Sequence, residues 1–313
     1  MIKYLKYDHI DKEKWDDCVD NSFNGVIYAY SWFLDVVCEE WEGLVEDDYE
    51  RVFPINFKNK MGVNIVFQPF FTQQLGVISQ TELSPAVVNA FLNAIPAKYR
   101  VVDLNLNVHN KPDLSAYTFS PQVNHELDLI GDYESIRKNY AQNTKRNLKK
   151  AESAGLSITK GVKPDEVIHL FRDNRGKDVK VLKEISYLKL KRLIYTCIYK
   201  GKGQVYGVYT ADNILCAAAV FFESNKKTVF IFSGLSQEGR EKRAMFFLID
   251  NFIRENANKH LTLDFDGSND EALSRFYKGF GSTRINFVRV SRNTLPLLIK
   301  VSFRLYRRIR SAK

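Results

Sequence analysis

Cysteine is scarce and scattered in this chain: Cys18, Cys38, Cys197 and Cys216 are the only four among 313 residues. They form no close pair and have no histidine at zinc-ligand spacing, which excludes a disulfide scaffold and the common zinc modules. Reduced packing residues are the expectation, and no metal site. Long apolar runs are also missing. Nothing approaches the roughly 20 apolar residues that span a bilayer, and the N-terminal MIKYLKYDHIDKEKW interleaves charge too densely for a signal-peptide core. The expected location is therefore the cytoplasm, with a site at the inner membrane surface left open. Serine or cysteine nucleophile motifs are absent around His109 and His125, so these two are expected at the surface.

What is present points to a packed, globular protein. Hydrophobic residues make up 45%, including 22 Phe and 16 Tyr, more than a disordered chain would carry. Lysine and arginine outnumber acids by 46 to 37, a net charge of +9, which favours anionic partners.

The order of elements repeats. GQVYGVYT, LCAAAVFFES and KTVFIFSG are strand candidates separated by the short turns ADN and NKK. A helix-forming stretch, EGREKRAMFFLIDNFIRENANKH, then leads to the strand LTLDFDG. The first half has the same order: ERVFPINFKN, GVNIVFQPFF, the helix SPAVVNAFLNAIPAK and the strand RVVDLNLN. Strand parity puts Asp103, Asn105 and Asn107 on one face of the earlier strand and Thr262, Asp264 and Asp266 on one face of the later. A diverged duplication is the expectation. Between the halves, GDYESIRKNYAQNTKRNLKKAESAGL has Asp132 as N-cap and Gly155 as stop. Its basic positions, Arg146 among them, form either a solvated helix face or a phosphate-facing wall.

The stretches NTKRNLKKAESAGL and LDFDGSNDEALSRFYKGFG resemble the double-GNAT-fold proteins related to the Fem peptidyltransferases. The resemblance implies an α/β fold with mixed sheets in two tandem GNAT-like domains: 1–131, a basic connecting helix at 132–155, and 156–291, with the tail from about 292 to 313 packing on the first. It further implies an N-acyltransferase that moves an acyl or aminoacyl group from acyl-CoA or aminoacyl-tRNA, as co-substrate, to an amine on a cell-envelope precursor or amino sugar. No permanently bound cofactor is implied. Weaker likenesses in YAYSWFLDVV and VFQPFFTQQLG place Trp32, Gln68, Gln73 and Gln74 at the cleft. The acidic WFLDVVCEEW stands where peptidoglycan-building members carry a cation. No heptad run marks the arm proposed to meet tRNA in some members, so a tRNA partner rests on basic charge alone.

The resemblance also locates the chemistry. GNAT enzymes hold the donor's pyrophosphate at the start of the helix after the fourth strand, where free N–H groups and the helix dipole favour anions. Here that place is SGLSQEGREKRA, with Gln237, Gly239, Arg240 and Arg243, although the second glycine of the usual pattern is missing. The attacking amine must lose a proton, since its pKa of about 10.4 leaves it mostly unreactive at neutral pH. Asp264 or Asp266 is placed to accept it, or to cap the following helix. In RFYKGFG, Tyr277 is either a packed ring or the acid for the leaving group, and Lys278 a stabiliser of the oxyanion. Arg172 and Arg175, with Lys177 around Gly176, form an anion cup or a solvated loop. The tail LPLLIKVSFRLYRRIRSAK is a basic amphipathic segment that either docks on the first domain or makes a peripheral membrane contact. The rival to catalysis is a GNAT-fold module that only binds a nucleotide-linked or nucleic-acid ligand.

Overall fold

A computed structural model describes residues 1–179, 181–267 and 269–296. The proposed tail contact therefore falls largely on residues outside the described ones. The strands are β1 (Ile2–Leu5), β2 (Trp41–Glu46), β3 (Arg51–Lys60), β4 (Val63–Phe67), β5 (Ile78–Ser79), β6 (Tyr99–Leu106), β7 (Thr118–Asp128), β8 (Ser157–Lys160), β9 (Gly203–Tyr209), β10 (Leu215–Ser224), β11 (Lys227–Leu235), β12 (Thr262–Asp264) and β13 (Thr283–Asn293). The helices are α1 (Lys12–Asn21), α2 (Ser31–Val37), α3 (Pro85–Ala94), α4 (Tyr133–Lys138), α5 (Gln142–Glu152), α6 (Pro164–Asp173), α7 (Glu184–Tyr199), α8 (Gln237–Glu241), α9 (Ala244–Asn256) and α10 (Glu271–Lys278).

The strands form one sheet in the order β1-β2-β3-β4-β6-β13-β7-β12-β11-β10-β9-β8, with β5 on β3. Two pairs are parallel, β4 with β6 and β11 with β12, and each closes a strand–helix–strand crossover, as parallel neighbours require. These are the two units whose order repeats in the sequence. The halves are then laced together. β13, from the second half, lies between β6 and β7 of the first, and β7 in turn pairs with β12 of the second.

Local chemistry explains most boundaries. Ser84 caps α3 ahead of Pro85, and Asp132 caps α4 through the Ser135 amide. The hairpin from β10 to β11 turns on Asn225 and Lys226, both at positive φ. Two expected helices are each broken in two. The connecting helix stops at Asn139 and restarts at Gln142, because Ala141 is extended and its N–H bonds to the Gly279 carbonyl. The helix after β11 breaks at Arg243, which sits in the left-handed region at φ 62°. A repeat of period 3.6 shows through such breaks, so the sequence pattern alone does not reveal them.

Three apolar clusters fill the two faces. One joins α1 and α2 of the first half to α6 and α7 of the second around Phe33, Leu193 and Phe222. A second packs α5, α9 and α10 around Leu248, Phe265 and Phe280. The third lies under α3 around Phe53 and Phe91. All four cysteines are buried and free, as packing residues should be.

Candidate active site

β11 and β12 run together only from Lys227 to Val229, opposite Thr262 to Asp264. Beyond that point no described residue of β12 pairs with β11, and the strands part. In the first half the corresponding gap after β4 is filled by the chain itself. The Gln68 side chain accepts from the Asn105 N–H (3.0 Å), and Leu75 exchanges backbone bonds with Asn105 and Asn107. The gap beside β11 stays open and forms a cavity of about 250 Å3.

Its walls come from four elements. Phe230, Ser233 and Leu235 belong to β11, Phe171 to α6, Met245 and Phe246 to α9, and Leu273, Phe276 and Tyr277 to α10. Arg175, Gly239, Arg240 and Arg243 line it as well, so three cations rim an otherwise apolar space. α8 can lie this close to the sheet because Gly239 has no side chain: a Cβ there would stand 2.1 Å from the Cys216 carbonyl oxygen. Ser236 caps α8 by accepting from the Gly239 N–H (3.0 Å). Arg243 hydrogen-bonds the Arg240 carbonyl (3.2 Å), while its buried Nε has no partner among the described residues.

Tyr277 is held by its ring. It stacks on Phe265 (centroids 4.6 Å apart, 21°) and meets Phe230 edge-on. Its hydroxyl makes no hydrogen bond among the described residues. Burial, then the nearby charge of Asp266, pushes the phenol well above its ordinary range, so near neutral pH it is a proton donor rather than a base.

Behind this stack lies a polar junction between the halves. Asp264 is 3% exposed and fully engaged. Its Oδ1 accepts from Asn124 Nδ2 (2.9 Å) and from the Asp266 N–H (2.8 Å), and Lys227 Nζ is 3.6 Å from its Oδ2. Lys227 also reaches Glu126 Oε1 at 2.6 Å. Burial opposes the lysine's charge, but the two carboxylates outweigh it and hold Lys227 above its ordinary range. Asp266 follows the strand in the left-handed region, at φ 55°, and accepts from the Tyr28 hydroxyl (2.6 Å). The residue is half-buried, and desolvation of its carboxyl first, with Asp264 nearby, raises it to about 7 despite that bond. Gly267, at φ +93°, finishes the turn, and a Cβ there would come 2.5 Å from Gln73 Nε2.

Of the positions singled out in the sequence, Gly239, Arg240, Arg243, Arg175 and Tyr277 come together at the cavity. Gln73, Asp264 and Asp266 meet at the junction, with Gln74 tied in through its bond to Gln73 Oε1 (2.6 Å). The rest stand apart. Gln237 is exposed and bonded to Glu241. Lys278 and Arg146 are exposed on α10 and α5 and do not line the cavity. Trp32 packs on Tyr30 with Lys200 over its ring. Arg172 makes a bidentate pair with Glu184 (3.0 and 2.8 Å), which splits the expected cup and leaves Arg175 facing Asp270 at 4.0 Å.

Two expectations are corrected. Neither Asp264 nor Asp266 caps α10; Asp270 does, accepting from the Ala272 and Leu273 amides, because the turn at Gly267 delays the helix start. His125 is not at the surface but 2% exposed, with Ser282 and Ser274 hydroxyls at its two ring nitrogens. Sequence reasoning also missed Tyr28, which opens the YAYSWFLDVV stretch without being singled out in it, Asn124 and Lys227, which carried no motif, and the phenylalanines of the cavity wall, which look like ordinary core.

No family model and no curated protein matches the sequence. Solved structures do match the fold. FemX superposes with a TM-score of 0.66 at 13% identity, over 91% of this chain and 96% of that one. A conserved protein of unknown function from Bacteroides thetaiotaomicron gives 0.58 at 10% identity, over 93% and 99%. L-PGS from Bacillus licheniformis gives 0.51 at 12%, over 93% and 94%. The chain thus has the Fem-like fold, a tandem GNAT-like arrangement, along nearly its whole described length.

Proposed function

We propose that the protein is an N-acyltransferase that carries an acyl or aminoacyl group from an activated donor to an amine, acting in the cavity beside the free part of β11. The observation that carries this reading is the open gap itself. An unpaired strand edge, an apolar tube, three arginines at the rim and an unbonded phenol meet in one place. An extended donor arm bearing amides can pair with the β11 edge, and an anionic head can rest against Arg240 and Arg243 near the start of α9.

The step needs two protein groups. The amine nitrogen attacks the donor's carbonyl carbon, the new C–N bond forms, and the bond from that carbon to the leaving sulfur or oxygen breaks. We assign the proton that the ammonium must shed to Asp266, which does not line the cavity but lies near enough to Tyr277 for its charge to act on that phenol, and which titrates near neutrality. As the amide forms the nitrogen loses a second proton, and the leaving atom gains one through Tyr277, whose hydroxyl hydrogen-bonds to it; this support matters more for an alkoxide than for a thiolate. FemX and L-PGS share the fold, and an amine on a cell-envelope precursor or amino sugar is the first acceptor class to try.

The test is thermal unfolding with increasing coenzyme A and acetyl-coenzyme A. At 100 times its Kd a ligand that binds only the folded state stabilises by about 2.7 kcal/mol. A saturable shift in the wild type that is lost in Arg240→Ala/Arg243→Ala supports a thioester donor at this rim. With no shift, the same assay moves to aminoacyl-tRNA. Binding without acceptor-dependent loss of the acyl group would instead mark a non-catalytic binding module.

A further inference from the structure

α7 is a 16-residue helix, roughly 24 Å long, and it is apolar on both sides. Its inner face, with Leu190, Leu193, Ile194 and Cys197, is fully buried in the cluster shared with α2 and α6. On the opposite side, Ile185 and Leu188 are each 55% exposed, Tyr195 44% and Tyr199 91%. At 3.6 residues per turn these four and Arg192 fall within about 80° of one another. Val181, also 55% exposed, leads into the stripe. Scattered apolar residues on a surface need no explanation, but a contiguous stripe does.

We propose that this outer face of α7 docks on an anionic lipid surface. The charges around the stripe select that occupant. Lys183, Arg192 and Lys200 are exposed with no ion-pair partner among the described residues. The three acids beside α7 are all engaged: Glu184 is held by Arg172, Asp165 by Lys191 (2.5 Å) and the Tyr195 hydroxyl (3.1 Å), and Glu39 by Lys189 (3.3 Å). The face presented outward is apolar and cationic, with tyrosines whose polar ends suit the headgroup boundary. A second copy meeting it face to face would set Arg192 against Arg192 with no free carboxylate between them, whereas phosphate headgroups neutralise it. No helix among the described residues is long and apolar enough to cross a membrane, so the contact is superficial. The segment that joins α6 to α7 includes Arg175, on the cavity rim, and Arg172 of α6 pairs with Glu184 at the start of α7.

The experiment is flotation of the full chain with phosphatidylcholine vesicles and with vesicles in which about a third of the lipid is phosphatidylglycerol. The wild type should float with the anionic vesicles, and high salt should weaken it. Ile185→Glu/Leu188→Glu should lower partitioning about tenfold or more, and Arg192→Glu at least fivefold, since one cation near such a surface is worth a factor of about five. All three positions are exposed, so the melting temperature should stay within a few degrees of wild type, which separates lost docking from misfolding. A chain ending at Pro296 should keep α7-dependent binding. Three results would overturn the proposal: no flotation, flotation indifferent to the α7 variants but lost on removal of residues 297–313, or a light-scattering dimer of the wild type that the α7 variants dissolve.

Discussion

Tyr277 is buried as a ring, and its hydroxyl has no hydrogen bond among the described residues; the two properties can be separated by one atom. Tyr277→Phe keeps the stack on Phe265 and removes only the donor. Turnover should fall by about a hundredfold with KM little changed, as expected for a group that acts on the leaving atom, while stability moves by less than about 1 kcal/mol. Wild-type turnover in this variant would end the assigned role. Asp266 carries the pH dependence. Its carboxyl is raised in the folded state to about 7, against about 3.9 in the unfolded chain. Between these values the folded protein holds a proton that the unfolded chain has released, so this group stabilises the fold as pH falls from 7 towards 4 and withdraws that support as pH rises. Asn tolerates the left-handed backbone, so Asp266→Asn should be more stable than wild type at pH 8, by something on the order of 2–3 kcal/mol, with the gap closing at pH 4. The same variant should lose the acid limb near pH 7 in kcat/KM. Equal melting temperatures for the two proteins at pH 8 would show that the carboxyl is not raised.

At the scale of elements, the cavity depends on how closely α8 approaches β10. Gly239→Ala puts a methyl group 2.1 Å from the Cys216 oxygen unless the helix moves. Because the obstacle is backbone within a central strand, the helix is the part that yields. Chemical denaturation should show a loss of about 1–3 kcal/mol, and donor affinity should fall with it, because Arg240 and Arg243 move with the helix. An unchanged donor Kd would mean that the rim is not built on α8. The two parallel crossovers were legible in the sequence because each strand and helix carries its own period. The filling of one gap and not the other was not legible. It depends on Gln68 and Leu75 reaching β6, contacts between residues more than 30 positions apart with no local signature.

The whole molecule is tied by exchange. β6 has β13 as its neighbour, and β7 lies between β13 and β12, so neither half contains all the partners of its own strands. Lys227 adds a charged cross-link from β11 to Glu126 on β7. Residues 1–155 expressed alone would present β6 and β7 without the strand between them, and should fail to give dispersed NMR shifts, whereas the intact chain should unfold in one cooperative calorimetric transition. A stably folded fragment would refute this reading of the sheet. β7 and β13 escaped the sequence reading for a related reason. Both are long, only partly buried and polar along much of their length, as in TFSPQVNHELD and TRINFVRVSRN, so the alternation that marks a strand is weak in them.

The sequence by itself determined the repeated α/β order, the helix cap at Asp132 and the unpaired cysteines, and it singled out Arg240, Arg243 and Tyr277, which the fold brings to the cavity. Each of these follows from local period, from side-chain chemistry within a few residues, or from a motif. The tertiary structure alone decided which gap stays open, that Asp266 meets the Tyr28 hydroxyl, that Arg172 is spent on Glu184, and that α7 shows a second apolar face to solvent. These depend on what approaches a residue from distant parts of the chain, and burial, which sets both a carboxyl's pKa and the exposure of a leucine, is a property of that approach.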